Sequence, residues 1–448
     1  MSQSIEERYH DAFPKSCRLS ETARTIFPGG VTHDLRYMEP FAVYVDRAKG
    51  AYKWDVDGHQ LLDFWTGHGA LLLGHSPQEI VEAVQNQMAR GTHYGACHEL
   101  ELAWGKLVQE LVPSAEMVRF VGSGTEATLM ALRLVRIATG RPKVLKFAGH
   151  FHGWQDYLVP CADPPLDNSS VPGIPDEVVK LTVIVPPNDP DAVEEALAKD
   201  PQIGCVILEP TGGHWGSVPI RGGFLHALRN ITETHKRLLI FDEVITGFRV
   251  HPGGAQGHYG IKPDLTTMAK IVAGGLPGGC VGGRADIMEY IDFHPDRPKM
   301  KHPGTYNANP LSAAAGIAAL KKVATGEPCN KANEMGLLAR RKLNELFAAR
   351  DVNCVAYGDF SGFKILHNYV EDRPVDDDFL PYGGDLHKLE RPRDRRFYRT
   401  FRQAMLLNGV DTMGPAGLMM AVHTPGDIDR LVEATDKALD WLDAENFI

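Results

Sequence analysis

The chain has 448 residues, 43% apolar and 23% charged, with a formal net charge of -10. That length exceeds one ordinary core and predicts two domains, and the composition is that of a globular enzyme. A negative balance with no block of Lys and Arg argues against a nucleic-acid groove or an anionic membrane surface, so small molecules are the expected partners.

Residues 1–75 read as an N-terminal arm that contributes to a smaller α+β domain. A polar helical start leads to the turn at Pro28 and then to an alternating apolar-polar stretch around Val43 to Phe64, broken at Asp57-Gly58. Such a stretch predicts antiparallel pairing. No basic head followed by an apolar run opens the chain, and no window reaches membrane-spanning length, so a cytoplasmic location is expected.

Residues 76–315 read as the large domain. Helical periodicity begins near Pro77. Apolar runs of strand length then alternate with amphipathic helices: 118–121, 144–147, 183–185, 206–208, 238–241, 265–268 and 280–283. Continuous apolar runs separated by helices predict an α/β domain with a mostly parallel seven-stranded sheet between helices. Residues 316–448 complete the smaller domain, with a Pro- and Asp-rich surface loop from Glu371 to Gly384. Seven cysteines lie scattered without a Cys-x-x-Cys, so reduced thiols are expected rather than disulfides. The pairs His150/His152 and His93/His98 lack further ligands at a metal spacing, and no metal is expected.

The chemistry lies at the ends of the apolar runs. Gly122-Ser123-Gly124-Thr125 joins a strand to a helix, and free amides at the helix start, with the two hydroxyls, make an anion cup suited to a phosphate. Phe151, in His150-Phe151-His152-Gly153, offers an aromatic plane for stacking on a flat ring. Asp242 follows an apolar run, where a buried carboxylate needs a cation. Lys270 ends another apolar run, and burial lowers the pKa of a lysine. Phosphate cup, stacking aromatic, acid and lysine in this order suit pyridoxal 5'-phosphate, which needs an amine to form a Schiff base with its aldehyde. It also needs a carboxylate to keep its ring nitrogen protonated.

The order Ser123-Gly-Thr-Glu-Ala, His150-Phe-His-Gly, Glu209-Pro, Asp242-Glu-Val-Ile-Thr-Gly-Phe-Arg, Ala269-Lys270 and Gly304-Thr305-Tyr-Asn-Ala-Asn-Pro resembles the class III aminotransferases of fold type I. Within that class, Pro28-Gly-Gly-Val-Thr looks like the glutamate-1-semialdehyde 2,1-aminomutases. Gly67-His68-Gly-Ala and Gly213-His214-Trp-Gly-Ser look more like the D-phenylglycine aminotransferases. The resemblance implies a homodimer in which Gly304 and Thr305 complete the phosphate site of the neighbouring subunit. It implies that Val244 packs on the ring face opposite Phe151, that His152 and Glu209 line the cofactor, and that Arg36 pairs with an anionic substrate group. Three positions depart from these relatives. His214 replaces the glutamate that many omega-aminotransferases carry five residues after Glu209, His68 replaces the aminomutase tryptophan, and Gly414-Pro415-Ala416 carries no arginine where the D-phenylglycine aminotransferases have one. His68 and His214 are therefore candidate substrate residues. The expected reaction is transamination between an amino acid and a keto acid. An amino shift or ammonia elimination, for example from an aminophosphonate, is the alternative on the same parts, and a non-catalytic cofactor-binding protein is a remote one.

Overall fold

The computed structural model describes residues 3–164, 166, 171–374, 376–390 and 394–447. Near the N-terminus, Val45–Lys49 (β1), Tyr52–Asp55 (β2) and Gln60–Asp63 (β3) form an antiparallel meander, with Asp57-Gly58 in its second turn. The pairing is antiparallel, as the alternation predicts, but there are three strands rather than one hairpin.

The central sheet has seven strands: Met117–Val121 (β4), Lys143–Phe147 (β5), Thr182–Val185 (β6), Ile203–Leu208 (β7), Leu238–Asp242 (β8), Leu265–Ala269 (β9) and Gly279–Gly283 (β10). Their order is β4-β10-β9-β8-β7-β5-β6, and β10 alone runs against the direction of the other six. Each contains one of the seven apolar runs. Successive side chains point to opposite faces. Val144, Cys205, Ile207, Ile240 and Leu265 pack on one face against Ala127, Met130, Ala131, Leu134 and Val135 of the helix Gly124–Thr139. Leu145, Phe147, Val206, Leu208, Leu239 and Phe241 pack on the other against Phe224, Leu225 and Leu228 of the helix Gly222–Thr234. Burial on both faces explains why the strands read as unbroken apolar runs. Truncating one such Leu or Ile to Ala costs about 2–5 kcal/mol.

The C-terminal segment supplies Cys354–Tyr357 (β11), Gly362–His367 (β12), Val410–Asp411 (β13) and Ala416–Leu418 (β14). The strands β11, β12 and β14 form a third sheet, while β13 adds in parallel to β3. The loop expected from Glu371 to Gly384 includes Val375, which lies outside the described residues.

A buried ionic cluster joins the first and last segments. Asp63 receives Lys53 Nζ at 2.8 Å, His75 Nε2 at 2.7 Å and the Trp65 amide at 2.8 Å, and Lys53 also contacts Asp411. The fully buried Arg249 guanidinium donates to Gly69 O, Leu71 O and Met419 O. A buried cation is costly without hydrogen-bond partners, and the backbone carbonyls and carboxylates that these two cations hold fix residues 63–71 against the sheet. Among the described residues no helix is long and apolar enough to cross a membrane, and no group of three or more His, Cys, Asp or Glu is placed to hold a metal.

Candidate active site

The parallel strands end on one edge of the sheet, and there the chain sets out its polar residues. Ligands of open α/β sheets bind at this carboxyl edge. Asp242 closes β8 with its side chain buried. Its Oδ2 accepts from His152 Nδ1 at 2.7 Å, and its Oδ1 from the Val244 amide and Thr267 Oγ1, each at 3.1 Å. The donation from His152 Nδ1 leaves its buried Nε2 without a partner. Burial lowers the His152 pKa against the pull of Asp242. The carboxylate is therefore held in one orientation by three donors.

Lys270 follows β9 and takes a left-handed φ of +57°. Few non-glycine residues adopt that conformation, and it tends to occur where function demands it. Burial lowers the pKa of its amine, while Asp242 and Glu209 pull it back up. Glu209, at the end of β7, accepts the Phe151 amide at 2.8 Å and the His214 amide at 3.1 Å. Burial, followed by the nearby Asp242, pushes its carboxyl up to about 8. His152, Asp242, Glu209 and Lys270 thus come together from four separate strand ends.

The turn after β4 lies beside them. Ser123 caps the helix Gly124–Thr139, its Oγ accepting from the Glu126 amide at 3.2 Å, while the Gly122 amide donates to Glu126 Oε2 at 2.6 Å. The amides of Gly124 and Thr125 belong to the first helical turn and have no partner within the helix. Two close approaches hold the turn in place. A Cβ on Gly153 would stand 2.5 Å from Thr125 Oγ1, and one on Gly279 would stand 2.6 Å from Ser123 O. Gly124 itself lies against Val244, where a Cβ would meet the side chain at 2.9 Å. Phe151 is 41% exposed as a residue, and its ring stacks at 5.8 Å on His214.

On the outer side, His68 stacks on His33 at 4.6 Å and meets Trp65 edge-on. Its Nε2 is buried without a partner. Burial, then His33 and Arg36, take its pKa down to about 4. Arg36 is exposed and donates to Thr32 Oγ1 at 3.0 Å, in a short turn capped by His33 Nδ1, which accepts the Leu35 amide. His214 adopts φ of +50° and donates from Nε2 to Ala162 O at 3.1 Å. Gly304 and Thr305 stand apart from this cluster. Both are exposed, and with His93 and Arg119 they line a separate cavity of about 1120 Å³ that includes none of Ser123, Asp242 or Lys270.

Three residues around the site carry no motif signal of their own: Thr267, His33 and Lys146. Thr267 lies in β9, two residues from a strand end already marked by Lys270, and strand alternation alone would have suggested it.

These features fit pyridoxal 5'-phosphate. A turn packed through glycines offers first-turn amides for a phosphate, an exposed aromatic stands beside His214, Val244 lies against Gly124 of that turn, and a three-donor carboxylate lies within electrostatic reach of a lysine whose burial favours the free amine.

Comparison with known proteins supports the same reading. Residues 35–372 match the class-III aminotransferase family. The chain is 38% identical over 441 residues to a glutamate-1-semialdehyde 2,1-aminomutase of Methanopyrus kandleri, covering 97% of this chain and 99% of that one. It is 42% identical over 368 residues to the enzyme of the same name from Ignicoccus hospitalis, covering 80% and 86%. Among solved structures, an omega-transaminase from Sphaerobacter thermophilus superposes with a TM-score of 0.86 at 33% identity, over 95% of this chain and 97% of that one. A transaminase with pyridoxal phosphate bound superposes with a TM-score of 0.86 at 30% identity, over 97% and 99%.

Proposed function

The chain belongs to the class-III aminotransferases and its cofactor is pyridoxal 5'-phosphate, and from that premise we propose that it transfers an amino group between an amino acid, or a related anionic amine, and a keto acid. The observation that carries this reading is the convergence of Lys270, whose burial favours the neutral amine, with Asp242, held by three donors. Pyridoxal phosphate supplies an aldehyde that condenses with amines and a ring that withdraws electrons.

The protein's residues divide the remaining work. Lys270 holds the cofactor through its amine. When free, the Lys270 amine would take a proton from the substrate carbon and return one, which a neutral amine does best. Asp242 would hold the ring nitrogen of the cofactor, with His152 keeping its carboxylate in orientation. Ser123, Gly124 and Thr125 receive the phosphate, with Gly304 and Thr305 added from the second subunit of a homodimer. Phe151 and Val244 would enclose the ring, and Glu209 holds the backbone of Phe151 and His214 in register. Arg36, with His68 and His214, receives the anionic part of the substrate, for which guanidinium geometry is suited.

An amino shift within one molecule is the second reading, favoured by the 38% identity to an aminomutase over nearly the whole chain. Against it stands His68, which occupies the position of the tryptophan in those aminomutases. A panel of amino donors separates the readings. Accumulation of the amine form of the cofactor with release of a keto acid supports transfer, isomerisation without keto acid supports the mutase, and free ammonia supports elimination. If no donor alters the cofactor spectrum, and borohydride fixes no cofactor to Lys270, the catalytic reading fails.

A further inference from the structure

Lys146 lies in β5, beneath the site and without a part in the chemistry above. Its side chain is fully buried, and Nζ donates to Leu158 O and Pro160 O, both at 2.8 Å. Both acceptors are neutral carbonyls. Burial brings its pKa down to about 7. A neutral amine has two N–H groups, and the two carbonyls satisfy both.

The segment held in this way continues directly to the site. Cys161 takes a left-handed φ of +53°, and its carbonyl accepts the Gly149 amide at 2.8 Å. The next residue, Ala162, presents the carbonyl that accepts His214 Nε2 at 3.1 Å, and Asp163 Oδ1 lies 3.5 Å from the same nitrogen. These acceptors put the His214 proton on Nε2 and leave Nδ1 with its lone pair. The His214 ring then lies nearly parallel to Phe151, at 21°.

We propose that Lys146 is a positioning residue for His214: by pinning Leu158 O and Pro160 O, it sets the place of Ala162 O and so fixes the tautomer and tilt of the imidazole beside Phe151. The buried lysine would otherwise be a costly choice for a strand core, where an apolar residue packs without desolvation. The effect on turnover rests on the proposed function, in which His214 meets substrate, whereas the effect on the imidazole does not.

The test combines a tautomer readout with a double-mutant cycle. In cofactor-loaded enzyme carrying ¹⁵N-histidine, the His214 signals, identified by their loss in His214→Gln, should report a single Nε2–H tautomer. Lys146→Met should turn them into a tautomer mixture. Lys146→Gln keeps two N–H donors, should restore the single tautomer in part, and serves if the Met variant does not fold. For an amino donor accepted by the wild type, Lys146→Met should lower kcat/KM about 10-fold alone but less than about 2-fold in a His214→Gln background. Equal losses in both backgrounds, or an unchanged His214 tautomer in the variants, would make Lys146 a packing residue only and overturn the proposal. If His214→Gln leaves kcat/KM at the wild-type value, the substrate role of His214 fails, while the tautomer result still decides the role of Lys146.

Discussion

Lys270, His68 and His214 all hold left-handed backbone conformations, at φ of +57°, +58° and +50°. Each costs of order 1–2 kcal/mol for a residue with a Cβ, and folded surroundings must over-determine it. Here Arg249 locks the segment after His68, and Glu209 accepts the His214 amide. Replacing Lys270 with Ala should leave a folded protein that binds cofactor weakly and does not turn over, because holding the cofactor and moving the proton use the same amine. Near-normal turnover by that variant would refute the assignment. Asp242→Asn keeps the shape but loses the charge opposite the ring nitrogen, so kcat should fall at least about 10²-fold, roughly 3 kcal/mol of barrier. Unchanged kcat in the loaded variant would make Asp242 a packing residue. Arg36→Leu should weaken binding of anionic donors by about 10- to 150-fold, the loss of one charge-assisted contact of ~1.5–3 kcal/mol, while leaving the spectrum of the resting cofactor intact. Comparing an amino acid with its uncharged amine analogue isolates that contact.

Among the elements, β5 brings the most to the site, since it carries Lys146 and runs on into residues 148–154. The lysine should leave a signature in the stability of the whole fold. Its pKa is about 10.4 when unfolded and about 7 in the native protein, so the native state binds fewer protons between those limits. The associated stability is present in full above about pH 10.4, declines as pH falls, and is lost below about pH 7. Relative to Lys146→Met, the wild type should therefore gain up to ~1.4 kcal/mol per pH unit from pH 7 upward. Parallel stability curves for the two proteins would show that the amine titrates normally. The strands themselves were legible because burial on both faces leaves unbroken apolar runs, and each of the seven runs lies within one strand of the sheet. The addition of β13 to β3 was not legible. It is two residues long, and its pairing depends on a chain returning from more than three hundred positions away.

At the scale of the whole molecule, the outlying position of Gly304 and Thr305 bears on assembly. They line a cavity apart from Lys270 in the same chain, which suits residues that act on a second copy. Mixing the inactive Lys270→Ala protein with an inactive Thr305→Asp protein should then restore about a quarter of wild-type activity, because half the dimers are hybrid and each hybrid has one intact site. No recovery on mixing would place Thr305 in its own chain's site or outside any site. By itself the sequence determined the sheet, the family and the residues at the strand ends, since periodicity is local and Asp242, Lys270 and the Gly-Ser-Gly-Thr turn each mark a strand terminus. Only the tertiary structure decided what surrounds them. His152 as the partner of Asp242, His33 stacked on His68, Arg249 holding residues 69–71 and Lys146 beneath His214 are contacts between segments far apart in the chain, and the burial and hydrogen bonding that define them exist only once those segments have packed.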